Sequence, residues 1–131
     1  MAALMWKKKA DLSGIPAIDW GKEKEDEARR AYEERTGSNV IRCGIFISKE
    51  KPLFAASPDG LVESSDGRIL IEIKCPWSLK DKDLSVLPTT WAIPSSSFLD
   101  SSLKLKRSHA YYYQVQLGMF CTGSKETHFV V

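Results

Sequence analysis

Asp59, Glu72 and Lys74 are the residues whose types and order could do chemistry. Asp59 sits in the turn tetrapeptide "SPDG", and Glu72 and Lys74 sit in "ILIEIKCPW" with Ile73 between them. Two carboxylates offer the hard oxygens that Mg²⁺ prefers, with Mn²⁺ as a substitute, and the backbone carbonyl of Ile73 can complete the shell. A lysine on the same side can orient a water and offset developing negative charge, so the set suits hydrolysis of a phosphodiester. The competing reading is simple: "SPDG" is a common turn, and a Glu and a Lys two apart are what a solvated edge strand shows.

The elements that must position these residues follow from periodicity. In "RILIEIK" a period of two places Ile69, Ile71 and Ile73 on one face and Arg68, Leu70, Glu72 and Lys74 on the other, so the two charges share a face away from the core. Upstream, "WGKEKEDEARRAYEER" predicts a helix from Trp20 to Arg35, with Asp19 as N-cap and Gly37 as its left-handed stop. Its apolar stripe is Trp20, Ala28, Ala31 and Tyr32, and Glu25 and Glu27 flank that stripe on opposite edges. "NVIRCGIFIS" alternates Ile41, Cys43, Ile45 and Ile47 and predicts a strand, with "LFAAS" as its neighbour. "HAYYYQVQLGMFCTG" predicts a second helix with Ser108 as N-cap and Gly123 as stop, and "THFVV" a closing strand. Between them residues 76 to 107 form a long connection rich in proline and serine. Helix, strands, helix, strand indicates an α/β or α+β fold, a sheet with helices against it.

Composition sets outer bounds. A chain of 131 residues with 43% hydrophobic and 27% charged residues fits one globular domain. No apolar run reaches the ~18 residues of a membrane span, and no secretory signal is evident, so no membrane partner is expected. Cys43, Cys75 and Cys121 lack metal-site spacing and fit reduced core thiols of an intracellular protein, nuclear or cytoplasmic without distinction. The net charge of +2 does not announce nucleic acid, but "LKLKRSHAYYYQ" gathers Lys104, Lys106 and Arg107 before aromatic residues. That mix can meet phosphates, or it can be a solvated loop leading into a helix. His109 suits a capping role better than a catalytic one, and His128 and Asp66 read as surface. Trp77 and Trp91 fit core filling, with a cover over the site or a stack on a base as the alternative. Tyr111, Tyr112 and Tyr113 cannot share one face, so at least one is expected in the core, with another free to touch DNA.

"WGKEKEDEAR", "AASPDGLV", "LIEIKCPW" and "AYYYQVQLGMFCTG", in that order, resemble the lambda exonuclease and YqaJ-type viral recombinase group of the PD-(D/E)XK nuclease superfamily. The likeness runs from Trp20 to Gly123. It implies a restriction-endonuclease-like core with a central mixed β-sheet flanked by helices, and a Mg²⁺-dependent deoxyribonuclease. It further implies digestion of double-stranded DNA from a 5′ end, in recombination or repair. By the resemblance Asp59 and Glu72 bind the metal with the Ile73 carbonyl, Lys74 positions or activates the water, and Glu25 rather than Glu27 is the inward acid. Ser57 faces a DNA phosphate, Gln114 bridges the catalytic strand and the phosphate, and Gln116 is the second choice for that role. Tyr32 packs beneath Glu25. The best-known relative is a ring-shaped trimer, and relatives extend beyond this chain at both ends. The resemblance therefore leaves room for a shortened module that binds DNA without cutting it. A restriction-type endonuclease shares the same triad.

Overall fold

The computed structural model describes residues 14–80 and 97–131. Trp91 and the prolines at 88 and 94 lie outside the described residues. Helix α1 spans Pro16–Thr36 and begins a turn earlier than Trp20. Pro16 opens it, with the fixed φ and missing N–H that suit a first helical position. Ile15 therefore takes the cap position with no side-chain bond, and the expected cap, Asp19, falls in the first turn, where Oδ2 accepts from Gly14 N–H at 3.2 Å. Gly37 ends the helix at φ 68° as expected.

A small antiparallel pair follows, β1 (Phe46–Ile47) with β2 (Ala55–Ala56). The expected strand through Ile41, Cys43 and Ile45 is not one. Ile41 makes a single bridge to Leu61, and Ile41, Ile45 and Ile47 are exposed while Val40 and Ser48 are buried. Alternation overcounted here because the backbone does not stay paired along the segment.

The main sheet is β3 (Gly60–Ser64), β4 (Gly67–Ile73) and β5 (Glu126–Val130), in that spatial order. β3 and β4 form an antiparallel hairpin pairing Leu61 with Leu70, whereas β5 runs parallel to β4 and pairs Glu72 with Phe129. The sheet is mixed because α2 (Ala110–Thr122) returns the chain to the start of the sheet before β5 begins. β4 is thus the central strand, not an edge.

Both faces of β4 are covered. Ile71 and Ile73 join Val40 and Val62 in a core against which Ala28 and Tyr32 of α1 pack. On the opposite face α2 approaches closely: a Cβ added to Gly118 would lie 3.2 Å from the Leu70 side chain. Leu70 and Ile71 are therefore both fully buried, the pattern of a strand covered on both sides. Glu72, expected on a face away from the core, is accordingly buried, only 4% exposed. The helix α2 is capped by His109, whose Nδ1 accepts from Tyr111 N–H at 3.2 Å, and not by Ser108. Gly123 stops it at φ 73°.

Candidate active site

Asp59 immediately precedes β3. Its backbone N–H donates to the Ile71 carbonyl at 3.1 Å, and its Oδ2 accepts from the Ile73 N–H at 2.7 Å. A turn residue is thereby pinned to the end of the central strand. Within a strand, one residue's N–H and C=O leave by the same edge, so the Ile73 carbonyl also faces the Asp59 side. Gly60, the next residue, lets the chain pack directly against Val40 and the Ile41 carbonyl: an added Cβ would clash with Val40 Cγ1.

Glu72 is buried with two donors on one oxygen. Lys74 Nζ bonds and pairs with Oε1, and Gln114 Nε2 donates to the same atom at 2.6 Å. Burial pushes the Glu72 carboxyl above its ordinary pKa; the Lys74 bond and charge oppose that shift, and the charges of Asp59 and Glu25 add to it. Two further acids therefore act electrostatically on one buried carboxylate. Lys74 also lies over the Tyr111 ring at 4.8 Å, so that tyrosine, tied to Phe98 and Phe129 by ring contacts, forms the seat of the lysine. The sequence pointed to a tyrosine in the core but not to this partnership, which spans the sheet–helix interface.

The remaining expected residues are placed as follows. Ser57, Glu72 and Gln114 line one cleft of about 310 Å³. Glu25, Ile73, Lys74 and Tyr111 line a second, of about 380 Å³, together with Trp77. Glu27 turns to Lys24 instead and is largely exposed. Gln116 is exposed and lines neither cleft. Lys104 and Arg107 are exposed and Lys106 is half-buried, in a loop that Asp100 organises by accepting from Ser102 and Lys104 N–H. None of these three cations lines either cleft.

Several expectations need correction. Trp77 is not core filling: it is 44% exposed and meets Trp20 edge-on at 5.7 Å. His128 is not simply on the surface, since Nδ1 bonds the Tyr32 hydroxyl at 2.6 Å and Nε2 meets Glu126 at 2.8 Å. Tyr32 accordingly ties α1 to β5. The three thiols are half-buried and free, and burial pushes those of Cys43 and Cys75 upward in pKa.

The donor set fits a hard divalent cation in its chemistry. Asp59 and Glu72 present carboxylates whose mutual repulsion a cation would relieve, and the Ile73 carbonyl lies on the Asp59 side. Among the described residues no three His, Cys, Asp or Glu side chains converge as a ready-made metal cluster. The fit is thus to two carboxylates and a backbone carbonyl, with Glu25 acting at longer range.

Residues 2–125 match the model of the YqaJ-like viral recombinase domain. The chain is also similar to the solved structure of an alkaline exonuclease, LHK-Exo, from Laribacter hongkongensis. Identity is 32% and the TM-score 0.60, covering 87% of this chain and 48% of that one. The same protein in complex with dAMP matches with 32% identity and TM-score 0.60, over 86% of this chain and 48% of that one. The chain therefore spans about half the length of those solved relatives. No curated protein is significantly similar. The likeness shows a restriction-endonuclease-like core, in agreement with the mixed sheet between α1 and α2. By its sequence and by this fold, the chain belongs to the family of YqaJ-like viral recombinase domains.

Proposed function

We propose that the chain is a Mg²⁺-dependent deoxyribonuclease that hydrolyses phosphodiesters of double-stranded DNA, working from a 5′ end. The observation that carries this reading is the buried Glu72, held by Lys74 and Gln114 beside an Asp59 pinned to the same strand. A carboxylate kept in low dielectric against the cost of desolvation is a mark of function more than of stability. The alkaline exonuclease and its dAMP complex support a deoxynucleotide substrate.

Asp59, Glu72 and the Ile73 carbonyl would hold the metal, with Mn²⁺ as a substitute. When bound, Mg²⁺ supplies positive charge against the phosphate oxygens. Lys74, seated on Tyr111, keeps an ammonium at the site to orient the attacking water and balance charge as it develops. Gln114 fixes the rotamer of Glu72, and Ser57 offers a hydroxyl to a phosphate at the rim of the same cleft. Lys104, Lys106 and Arg107 would engage phosphates farther along the duplex.

The direct test is digestion of end-labelled linear DNA and closed circular DNA with and without Mg²⁺. Loss of label from linear duplex alone, beginning at the 5′ end, is the expected result; cutting of the circle would point to an endonuclease. A second reading, a DNA-binding module without turnover, is favoured by the lack of a preassembled three-acid cluster among the described residues. Salt-dependent duplex binding with no hydrolysis at any Mg²⁺ or Mn²⁺ concentration would establish it.

A further inference from the structure

Phe98 is buried, with 9% of its surface exposed, yet it lies outside the helices and strands. It comes from a tight hairpin just before α2. Leu99 bridges Leu105, the Lys106 N–H donates to the Phe98 carbonyl at 2.9 Å, and the Asp100 N–H donates to that of Lys104 at 2.8 Å. At the tip Asp100 Oδ1 accepts from Ser102 and Lys104 N–H, and Leu103 is held at φ 59°, a conformation that a bulky residue adopts only under constraint. This strained turn sends one aromatic ring inward.

The ring lands behind Lys74. Phe98 meets the rings of His109 at 6.0 Å, Tyr111 at 5.3 Å and Phe129 at 5.8 Å, and so touches the α2 cap, the seat of the lysine and the β5 residue paired with Glu72. His109 lies 4.6 Å from Tyr111 and Phe129 6.2 Å from it, which leaves the Tyr111 ring bounded by three others. Lys74 Nζ stands 4.8 Å from the centroid of that ring. A lysine is a flexible stem with a compact, rotatable charge, so it holds one place only where its surroundings fix it. The bond to Glu72 fixes one direction and the Tyr111 ring a second. A gap where Phe98 stands would let Tyr111 turn and the ammonium shift with it.

We infer that Phe98 is a positioning residue for Lys74, acting through Tyr111, and that the hairpin carrying it is part of the reaction site. The same hairpin bears Lys104 and Lys106, with Arg107 next to it, so the element proposed to meet phosphates is also the one that backs Lys74. The inference rests on the proposed nuclease reading for the reaction.

The test pairs steady-state cleavage of linear duplex, with Mg²⁺ and below the melting temperature of each variant, with an NMR measurement that needs no turnover. Phe98→Leu keeps an apolar side chain but removes the ring; kcat should fall about tenfold with KM little changed. Tyr111→Leu should fall at least as far and Tyr111→Phe less. In the Tyr111→Leu background Phe98→Leu should cost nothing further, since the two residues act in one chain of contacts. Asp100→Ala, which loosens the hairpin at its tip without touching the rings, should also lower kcat. In protein carrying isotopically labelled lysine, the ε-methylene signal that Lys74→Arg removes should be displaced by the Tyr111 ring in the parent. It should move toward the position of a solvent-exposed lysine in Phe98→Leu and Asp100→Ala. Parental kcat in Phe98→Leu, losses that add in the double variant, or an unmoved Lys74 signal would overturn the inference. A moved signal in a chain that shows no hydrolysis would instead sink the nuclease reading and leave Phe98 as the residue that positions Lys74. Should Phe98→Leu not fold, Asp100→Ala decides by the same two readouts.

Discussion

Gln114 Nε2 reaches Glu72 Oε1 at 2.6 Å, joining α2 to the central strand across 42 residues of sequence. That bond distinguishes the two glutamines of the helix, since Gln114 meets Glu72 and Gln116 is exposed. Gln114→Leu should lower Mg²⁺-dependent cleavage roughly 10- to 100-fold, the usual cost of losing a group that orients a ligand. Gln116→Leu, at an exposed position, should change it little. Initial rates on labelled linear duplex compare the two.

Glu72→Gln should abolish hydrolysis and still leave a metal-free chain at least as heat-stable as the parent. Burial raises the Glu72 pKa, so the folded state holds its proton to higher pH than the unfolded chain does. The sign follows: this contribution to stability is fully present below the ordinary carboxylate pKa and is lost as pH rises through the raised value. Removing the charge at pH 8 should therefore raise Tm rather than lower it. A melting curve showing a large fall would contradict it.

Mg²⁺ should raise the Tm of the parent chain, since anything bound only by the folded state stabilises it, by about 2.7 kcal/mol at a hundredfold excess over Kd. Because Glu72 protonates more readily than an ordinary carboxylate, that gain should fade on acidification sooner than for an ordinary carboxylate pair. Thermal shifts with and without Mg²⁺ across a pH series, with Glu72→Gln as the unresponsive control, test this.

Gly60→Ala should destabilise the chain by about 1–3 kcal/mol, because the new methyl would meet Val40 Cγ1 at 2.4 Å and the Ile41 carbonyl at 3.3 Å. Any shift that relieves the clash moves Asp59, one residue before it, so cleavage should fall along with denaturant resistance. Retained stability with full activity would show that the β3 entrance is softer than its packing indicates.

Tyr32→Phe should cost about 0.5–1.5 kcal/mol by removing the hydroxyl bonded to His128. The loss should appear in the urea midpoint and leave the cleavage rate near that of the parent, since this pair ties α1 to β5 and lines neither cleft.

The residue types of the candidate site and their order are legible in the sequence alone. A turn acid, a strand acid and a strand lysine are local patterns, and Ile69, Ile71 and Ile73 mark the strand by alternation alone. The stops at Gly37 and Gly123 were equally legible, because a left-handed residue is a local requirement. Helix starts are less so: Ile15 and His109 hold the cap positions expected of Asp19 and Ser108, since several residue types can begin a helix. That β4 is central follows from the packed fold, because pairing with β5 depends on where α2 returns the chain. That placement buries Glu72, which alternation had put on an open face. It also sets Gln114 on Glu72, Tyr111 under Lys74 and Trp20 beside Trp77, contacts between residues far apart in the chain. Period two tells which residues share a face of a strand; what covers that face is set by the elements packed on it.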